Sequence, residues 1–308
     1  MPALEARGLT KVYRRAGRET RALDAVDLAI PERRRFAFLG RNGAGKTTFI
    51  KIASTLLLPT SGSLTLFGYD VVASPSKVRP LMALVPQEGK LFFHMTPREH
   101  IHEYLRVRGA SRETARSRTE EILAAMGLSA YADEVALRLS GGLQQRTLVA
   151  MVLATEAPFL FLDEPTLGMD PFARRQVWDV IRRATRRGST VLLTTHYLDE
   201  AEQLSEELAV IEGGHVLYRG SSDALKSAVG REVRLLFSDG FTAEELAPHG
   251  KVLHDRGRLV LLTSRSAVPE LTQRALARAV EVSVGPVTLE EAFLELVGRG
   301  IEEGEEGA

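Results

Sequence analysis

The sequence from Arg35 to Thr48 is RFAFLGRNGAGKTT, an apolar run followed by a glycine-rich loop. The run Arg35–Leu39 predicts a buried strand, and TTFIKIAST, which begins at Thr47, predicts a helix. The glycines between them permit positive φ angles and bring backbone N–H groups close together, at the positive end of the helix dipole. A strand, a glycine loop and a helix in this order form the context that a phosphate-binding loop requires, so the stretch predicts an α/β fold.

The side chains of the loop suit a nucleotide polyphosphate. Lys46 is predicted to neutralise the β- and γ-phosphates, and the Thr47 hydroxyl is predicted to ligate Mg²⁺. The predicted nucleotide contacts in this loop are Gly40, Asn42, Gly43, Ala44, Gly45, Lys46, Thr47 and Thr48.

A second apolar run, Phe159–Leu162, ends in the adjacent carboxylates Asp163 and Glu164. Ligands bind at the carboxyl ends of parallel strands, so these acids are placed to serve the same site. Asp163 is predicted to hold Mg²⁺ directly or through water, and Glu164 to orient or deprotonate the attacking water. The alternative is a solvated acidic turn, which a neighbouring phosphate loop disfavours.

The surrounding pattern favours a mostly parallel sheet covered by helices in residues 1 to about 225. The stretch Pro97–Ala132 has helical periodicity and indicates an inserted helical subdomain at about 90–155, and Pro171 and Gly188 bracket a further helix. The clearest strands are Arg35–Leu39, Leu160–Leu162, Thr190–Thr194 and Glu207–Ile211.

A third motif, LSGGLQQR at Leu139–Arg146, offers a second serine-capped, glycine-rich helix start. With it the chain resembles the ATP-binding subunits of ABC transporters, whose signature loop is LSGGQ. Here the glutamine comes one place later, a variation of exporter ATPases in the ABC type-2 group that leaves the backbone cradle intact. The resemblance implies a P-loop NTPase fold, ATP and Mg²⁺ as ligands, and ATP hydrolysis.

The resemblance also assigns residues. It implies that Ser140, Gly141 and Gly142 cover the ATP of the opposite subunit, and that Leu167–Asp170 lies between the two sites. Tyr13 resembles the aromatic residue that stacks on adenine, with a packed N-terminal tyrosine as the alternative. The implied catalytic residues are Glu164, His196, Gln87 and Lys46, and the implied Mg²⁺ ligands are Thr47, Gln87 and Asp163.

The implied partners are transmembrane permease subunits and a second ATPase subunit, either another copy or a paralogue. The implied location is the cytoplasmic face of the membrane, as a peripheral subunit. Residues Leu91, Phe92, Phe93 and Met95, which follow Gln87, would frame a groove for a permease helix or pack inside the helical subdomain. The turn Glu32–Arg35 departs from the family pattern and is predicted to be a solvated surface turn, with binding to anionic lipid headgroups as the alternative.

The C-terminal part predicts a second domain. Residues 1–228 form the predicted ATPase domain, 229–300 a small accessory α+β domain of ferredoxin-like order, and 301–308 an acidic disordered tail. The segment GPVTLEEAFLELVG at 285–298 resembles the closing segment of antibiotic-exporter ATPases.

Composition excludes several other functions. The 40 basic residues balance the 40 acidic ones, so no overall charge points to nucleic acid as a partner, and the absence of cysteine excludes thiolate sites. A GTPase is excluded because its guanine-binding Asn-Lys-x-Asp motif is missing and Asn42 is the only asparagine. A soluble ABC ATPase that acts on ribosomes or DNA usually has two modules or a coiled-coil insertion, and this chain has neither. The transported substrate contacts the permease, so drug, lipid, polysaccharide and ion export all stay open.

Overall fold

The computed structural model describes residues 2–15, 18–238, 240–255 and 257–305, and the chain forms two compact units, Met1–Arg219 and Gly220–Ala308. This boundary comes before the predicted one at 228/229, because the helix at Ser222–Ala228 packs on the C-terminal helix. In the predicted tail 301–308, the backbone of 301–305 continues the last helix, and 306–308 lie outside the described residues.

The first unit contains strands from two sheets and seven α-helices. Its strands are β1 (Pro2–Arg15), β2 (Arg18–Pro31), β3 (Arg35–Leu39), β4 (Ser61–Leu66), β5 (Tyr69–Asp70), β6 (Met82–Val85), β7 (Phe159–Asp163), β8 (Thr190–Thr194), β9 (Glu207–Glu212) and β10 (His215–Gly220). Its helices are α1 (Lys46–Ala53), α2 (Pro75–Val78), α3 (Pro97–Val107), α4 (Arg112–Ala125), α5 (Gly141–Leu153), α6 (Pro171–Arg186) and α7 (Leu198–Leu204). Short 3-10 turns lie at Arg79–Leu81, Ser129–Tyr131 and Ala136–Arg138.

The central sheet has the strand order β10-β9-β3-β8-β7-β6, and every pairing from β9 to β6 is parallel. All residues of β7 and β8 are buried, as their continuous apolar sequences predict for strands covered on both faces. The α/β prediction is confirmed, and each of its four strands is present within a residue of its predicted ends. Because β3, β7 and β8 are parallel neighbours, the segments that follow them meet at one edge of the sheet.

A second sheet, β2-β1-β4-β5, is antiparallel and was not predicted. Its long hairpin pairs β1 with β2 through several register shifts, and β1 also pairs with β4. Leu4, Leu9, Leu23 and Ile30 from this sheet share one hydrophobic core with Phe38 of the central sheet and with residues of α1. The two sheets therefore enclose the helix that carries Lys46.

Helices α3, α4 and α5 lie between β6 and β7 in the chain, inside the range 90–155, and contact one another. Their starts are capped by side chains. Thr96 and Glu99 form a capping box on α3, Ser111 accepts the N–H of Thr114 on α4, and Ser140 accepts the N–H of Leu143 on α5.

The second unit has its own core. Its elements are α8 (Ser222–Ala228), β11 (Val233–Phe237), α9 (Ala243–Leu246), β12 (Lys251–Asp255), β13 (Arg258–Thr263), α10 (Val268–Ala277), β14 (Val282–Pro286) and α11 (Leu289–Glu305), with 3-10 turns at Ala247–His249 and Arg265–Ala267. The sheet order β12-β13-β11-β14, with antiparallel pairings throughout, is that of a ferredoxin-like βαββαβ unit. Phe237, Leu261 and Leu271 lie in the core that α9 and α10 cover.

The arginine turn before β3 is exposed except at its last residue. Arg35 donates to Glu206 Oε1 at 2.9 Å and to the Leu204 carbonyl, and Arg34 lies 3.8 Å from the same carboxylate. One acid therefore engages two of the three arginines.

Candidate functional site

The loop Gly40–Gly45 turns sharply between β3 and α1. Gly43 and Gly45 have φ angles of 87° and 111°, in the region that favours glycine. A Cβ atom on Gly45 would lie 2.3 Å from the Ala22 carbonyl oxygen, and one on Gly40 would lie 2.3 Å from that of Ile211. Larger residues would push the loop off strands β2 and β9, whereas Gly43 faces open space.

Lys46 is the first residue of α1, and its side chain folds back across the loop. Its Nζ donates to the carbonyl oxygens of Gly40 at 2.6 Å and Arg41 at 2.9 Å. Burial lowers the pKa of Lys46, while Glu164, Asp163 and Glu212 act in the opposite direction. Three carboxylates therefore lie near the Lys46 ammonium group at the head of this helix.

The loop borders an open depression of about 210 Å³. Thr47 donates from its hydroxyl to Gln87 Oε1 at 3.4 Å, so Gln87, which follows β6, reaches the start of α1. Tyr13 lies at the same end of the helix, with its hydroxyl 3.4 Å from Thr48 Oγ1 and 39% of its surface exposed. The residues that line the depression are Asn42, Gly43, Gly45, Lys46, Thr47, Thr48, Gln87 and Glu164.

The two carboxylates at the end of β7 have different partners. Asp163 is buried and its Oδ1 accepts a hydrogen bond from the Thr194 hydroxyl at 2.5 Å, across the parallel pairing of β7 with β8. Glu164 and His196 share a hydrogen bond in which Glu164 Oε2 lies 2.6 Å from His196 Nδ1. The His196 side chain is 42% exposed and that of Glu164 only 8%, so the histidine covers the carboxylate from the solvent side.

The backbone holds Glu164 in a strained conformation. Its φ angle is 52°, which is uncommon for a residue with a Cβ, and its N–H donates to the carbonyl and hydroxyl of Thr194. Gln145 of α5 donates from Nε2 to the carbonyls of Glu164 and Pro165 at 3.3 and 3.4 Å. Such conformations persist only where the surroundings impose them, and they cluster at functional sites.

The signature loop lies elsewhere on the chain. Ser140, Gly141 and Gly142 line a second depression together with Met169 and Asp170, and no residue lines both depressions. The structure thus brings together Tyr13, the phosphate loop, Gln87, Asp163, Glu164 and His196, and it separates them from the signature loop.

Sequence reasoning missed three polar residues beside this site. Thr194 bonds to the Asp163 carboxylate and to the Glu164 N–H, and Gln145 donates to the Glu164 carbonyl. The third, Glu200, is fully buried and accepts a hydrogen bond from Thr166, two residues after Glu164. The parallel pairing of β7 with β8 would have indicated Thr194, since it is the residue opposite Asp163. No local signal marks the other two.

Comparison with known proteins agrees with this geometry. The ABC transporter family model matches residues 23–167. The daunorubicin/doxorubicin resistance ATP-binding protein DrrA of Streptomyces peucetius is 39% identical over 96% of this chain and 92% of its own length. The chain belongs to the ABC transporter family.

Other relatives of this ABC ATPase extend the comparison. The daunorubicin resistance ATP-binding protein DrrA3 of Streptomyces coeruleorubidus is 35% identical over 91% of the chain and 92% of its own length. A solved ATP-binding subunit of an ABC transporter has a TM-score of 0.67 at 27% identity, covering 74% of this chain and 93% of that one. A dimeric ATP-binding cassette with bound ADP and phosphate, in a post-hydrolysis state, has a TM-score of 0.66 at 26% identity, covering 71% and 98%.

The predicted family and its type-2 exporter relatives are therefore confirmed. The protein is the ATP-binding subunit of an ABC transporter, an ATPase that pairs with a second ATPase subunit and with transmembrane permease subunits. Within the described ranges, none of the helices combines the length and apolar character needed to cross a lipid bilayer.

Proposed function

We propose that this subunit binds Mg·ATP on the loop Gly40–Thr48 and hydrolyses it with Glu164 and His196, and that the reaction powers export through a separate permease. The contact of 2.6 Å between Glu164 and His196, at the rim of the depression that holds Lys46, carries the proposal. It pairs a carboxylate with a histidine where a phosphate-binding loop presents its N–H groups.

The residues present fit a nucleotide. Gly43 leaves its side of the loop open, and the N–H groups at the start of α1 face the depression with the positive end of the helix dipole. Lys46 supplies the cation, and moving its Nζ from the two loop carbonyls to phosphate oxygens exchanges neutral acceptors for charged ones. Tyr13 is exposed enough for an adenine ring to stack on it.

The same edge of the sheet fits Mg²⁺. Thr47, Gln87 and Asp163 offer hydroxyl, amide and carboxylate oxygens, the ligands that this hard cation prefers. Bound there with the phosphates, Mg²⁺ would supply charge neutralisation for the transferred phosphoryl group.

Hydrolysis then depends on how the chain holds Glu164 and His196. Glu164 accepts a proton from, or orients, the attacking water, and its own backbone is held by Thr194 and Gln145. His196 holds the carboxylate through Nδ1, and its side chain is exposed enough to contact a γ-phosphate bound by the loop. Lys46 stabilises negative charge that develops on the phosphate oxygens.

Two subunits complete two sites in this scheme. Ser140, Gly141 and Gly142 are too far from the phosphate loop to share its depression, which supports their binding to nucleotide held by the opposite subunit. The Ser140-capped start of α5 supplies backbone N–H groups for this purpose, and Asp170 lies beside it.

The permease contact is proposed for the segment after Gln87. Phe92 and Phe93 are each 65% exposed, and the nearby Leu137, whose N–H donates to the Phe93 carbonyl, is 73% exposed. Three large apolar side chains exposed together are typical of an interaction surface. Their contact with a permease would place the subunit on the cytoplasmic face of the membrane.

Export is supported by the two relatives that are named for daunorubicin resistance, so a drug-like apolar molecule is the proposed cargo of the permease. Residues 1–228 are proposed as the ATPase domain, with a helical subdomain at 90–155, and 229–300 as an accessory domain that regulates it.

The proposal is tested by nucleotide titration of paired variants. Lys46→Ala removes the loop cation and should weaken ATP binding at least about tenfold, whereas Lys51→Ala, on the exposed face of the same helix, should leave it unchanged. Unchanged ATP affinity in a folded Lys46→Ala chain would contradict the assigned site.

Ser140→Ala should leave the ATP affinity of a single chain unchanged and weaken ATP-dependent dimerisation, measured by sedimentation. Ser111→Ala is the matched control, because both serines cap helices in the same subdomain and lose the same kind of hydrogen bond. If both variants dimerise equally well, Ser140 does not bind the opposite nucleotide.

A further inference from the structure

Close in the chain to His196 lies another acid, Glu200, which is fully buried. It sits in the first turn of α7, the helix that follows His196. Acidic residues in a first helical turn are usually solvated, where they favour the helix dipole at little cost. The burial of this one requires a separate explanation.

Glu200 joins three elements through one oxygen atom. Its Oε1 accepts hydrogen bonds from the Thr166 hydroxyl at 2.8 Å and from Trp178 Nε1 at 2.9 Å. Thr166 is in the segment that follows Glu164, and Trp178 is on α6. The carboxyl group therefore links the helix after His196 to the segment after Glu164 and to the helix beyond it.

A second contact joins the same elements. The guanidinium of Arg174, on α6, lies 3.7 Å from the ring centroid of Tyr197, the residue after His196. Arg174 also donates from Nε to the Met169 carbonyl at 3.1 Å, within the loop that follows Glu164. Two sets of contacts, one through Glu200 and one through Arg174, thus join the chain segments that follow Glu164 and His196.

The cost of burying Glu200 argues against a role in stability alone. Burial raises the pKa of Glu200, although the hydrogen bonds from Trp178 and Thr166 and the charge of Arg174 act in the opposite direction. An apolar side chain of similar volume would fill this space without that penalty. A buried carboxyl group, unlike an apolar side chain, accepts hydrogen bonds and so fixes the orientation of the side chains that donate to it.

We propose that Glu200 is a positioning residue for ATP hydrolysis, which holds the Glu164 and His196 segments in register through Thr166 and Trp178. This inference rests on the proposed roles of Glu164 and His196. Glu200 itself contacts neither nucleotide nor water in this scheme. Small displacements of reacting groups reduce rates steeply, so the register of these two segments should control turnover rather than ATP binding.

The first test removes one hydroxyl group. Thr166→Val in the full chain should lower kcat for ATP about tenfold or more and leave KM and the dissociation constant for ATP within about twofold. Thr119→Val is the matched control, because Thr119 is equally buried and its hydroxyl bonds only to Ala115 in its own helix. We expect Thr119→Val to lose about as much thermal stability as Thr166→Val and to keep the kcat of the wild type.

The second test uses rescue at Glu200. Glu200→Gln keeps an oxygen acceptor for Thr166 and Trp178 and should keep kcat within about threefold of the wild type, whereas Glu200→Met keeps the volume without the acceptor and should lose about tenfold. If Glu200→Met does not fold, Thr166→Val decides the question.

The positioning role alone would be overturned by wild-type kcat in a folded Thr166→Val chain, or by an equal loss of kcat in Thr119→Val. A rise in the ATP dissociation constant of Thr166→Val that matches its fall in kcat would also overturn it, because the effect would then be on binding. A wild-type chain that binds no ATP would instead overturn the proposed function.

Discussion

Replacing Glu164 with glutamine tests the catalytic pair most directly. The substitution keeps the shape of the side chain and removes its charge, while the backbone N–H of residue 164 keeps its bonds to Thr194. The phosphate loop is untouched, so we expect ATP to bind and turnover to fail.

The size of the effect follows from what the carboxylate does. Loss of a general base or of a water-orienting carboxylate lowers rates by about 10² to 10⁴, which is about 2.7 to 5.4 kcal/mol on the barrier. His196→Ala removes the partner in the same 2.6 Å contact. Because the two residues act as one unit, the double variant should be no more than about threefold slower than the slower single variant.

The assay is steady-state phosphate release by Glu164→Gln, His196→Ala and the double variant, with gel filtration in ATP to detect trapped dimers. Glu212→Gln is the control, since Glu212 is another carboxylate that raises the pKa of Lys46 but makes no contact with His196 in the described structure. Its turnover should stay within about threefold of the wild type. Losses that simply multiply in the double variant, or normal turnover by Glu164→Gln, would contradict the assignment of Glu164 and His196 as one catalytic unit.

Two further predictions concern the helical subdomain and the second unit. In His100, Nδ1 pairs with the Thr96 carbonyl and Nε2 accepts the Phe92 N–H, and burial lowers its pKa below the usual 6.5. The unfolded chain therefore binds more protons, so the free energy of unfolding should fall as pH drops through about 6.5. This fall should be less steep in His100→Gln than in the control His102→Gln. Urea titration of both variants at several pH values measures the difference. A chain ending at Gly220 should bind ATP with the affinity of the full chain, because the two units have separate cores. Titration calorimetry measures this affinity, and a loss of ATP binding by the folded fragment would contradict the prediction.

Much of the site could be predicted because its signals are local. The phosphate-loop glycines and Lys46 come just after β3, and the two acids lie at the end of β7, so each is close in sequence to the strand that positions it. Residue types and their order along the chain are therefore enough to predict these positions. The antiparallel sheet was missed because β1 pairs both with its neighbour in the chain and with the distant β4, and because register shifts interrupt the alternation of its apolar residues.

Buried polar residues were beyond the same reasoning. Glu200 follows Asp199 in the first turn of α7 and has the sequence pattern of a solvated helix start. Its burial depends on tertiary contacts, among them those with Trp178 from α6 and with Thr166. Gln145 likewise belongs to an ordinary helical run, and its bonds to the Glu164 and Pro165 carbonyls depend on how α5 packs beside β7.

These tertiary contacts give the proposed dimer a physical route between its sites. Helix α5 begins at the second depression with Ser140, and its Gln145 donates to the backbone of Glu164 at the first. A nucleotide of the opposite subunit that engaged Ser140 would thus act on the same helix that contacts the proposed catalytic carboxylate. Glu200 bonds to the next residues of that segment through Thr166. The backbone around Glu164 is therefore linked both to the helix proposed to contact the partner's nucleotide and to the helix that follows His196, so we expect a shift of either helix to change the geometry of hydrolysis.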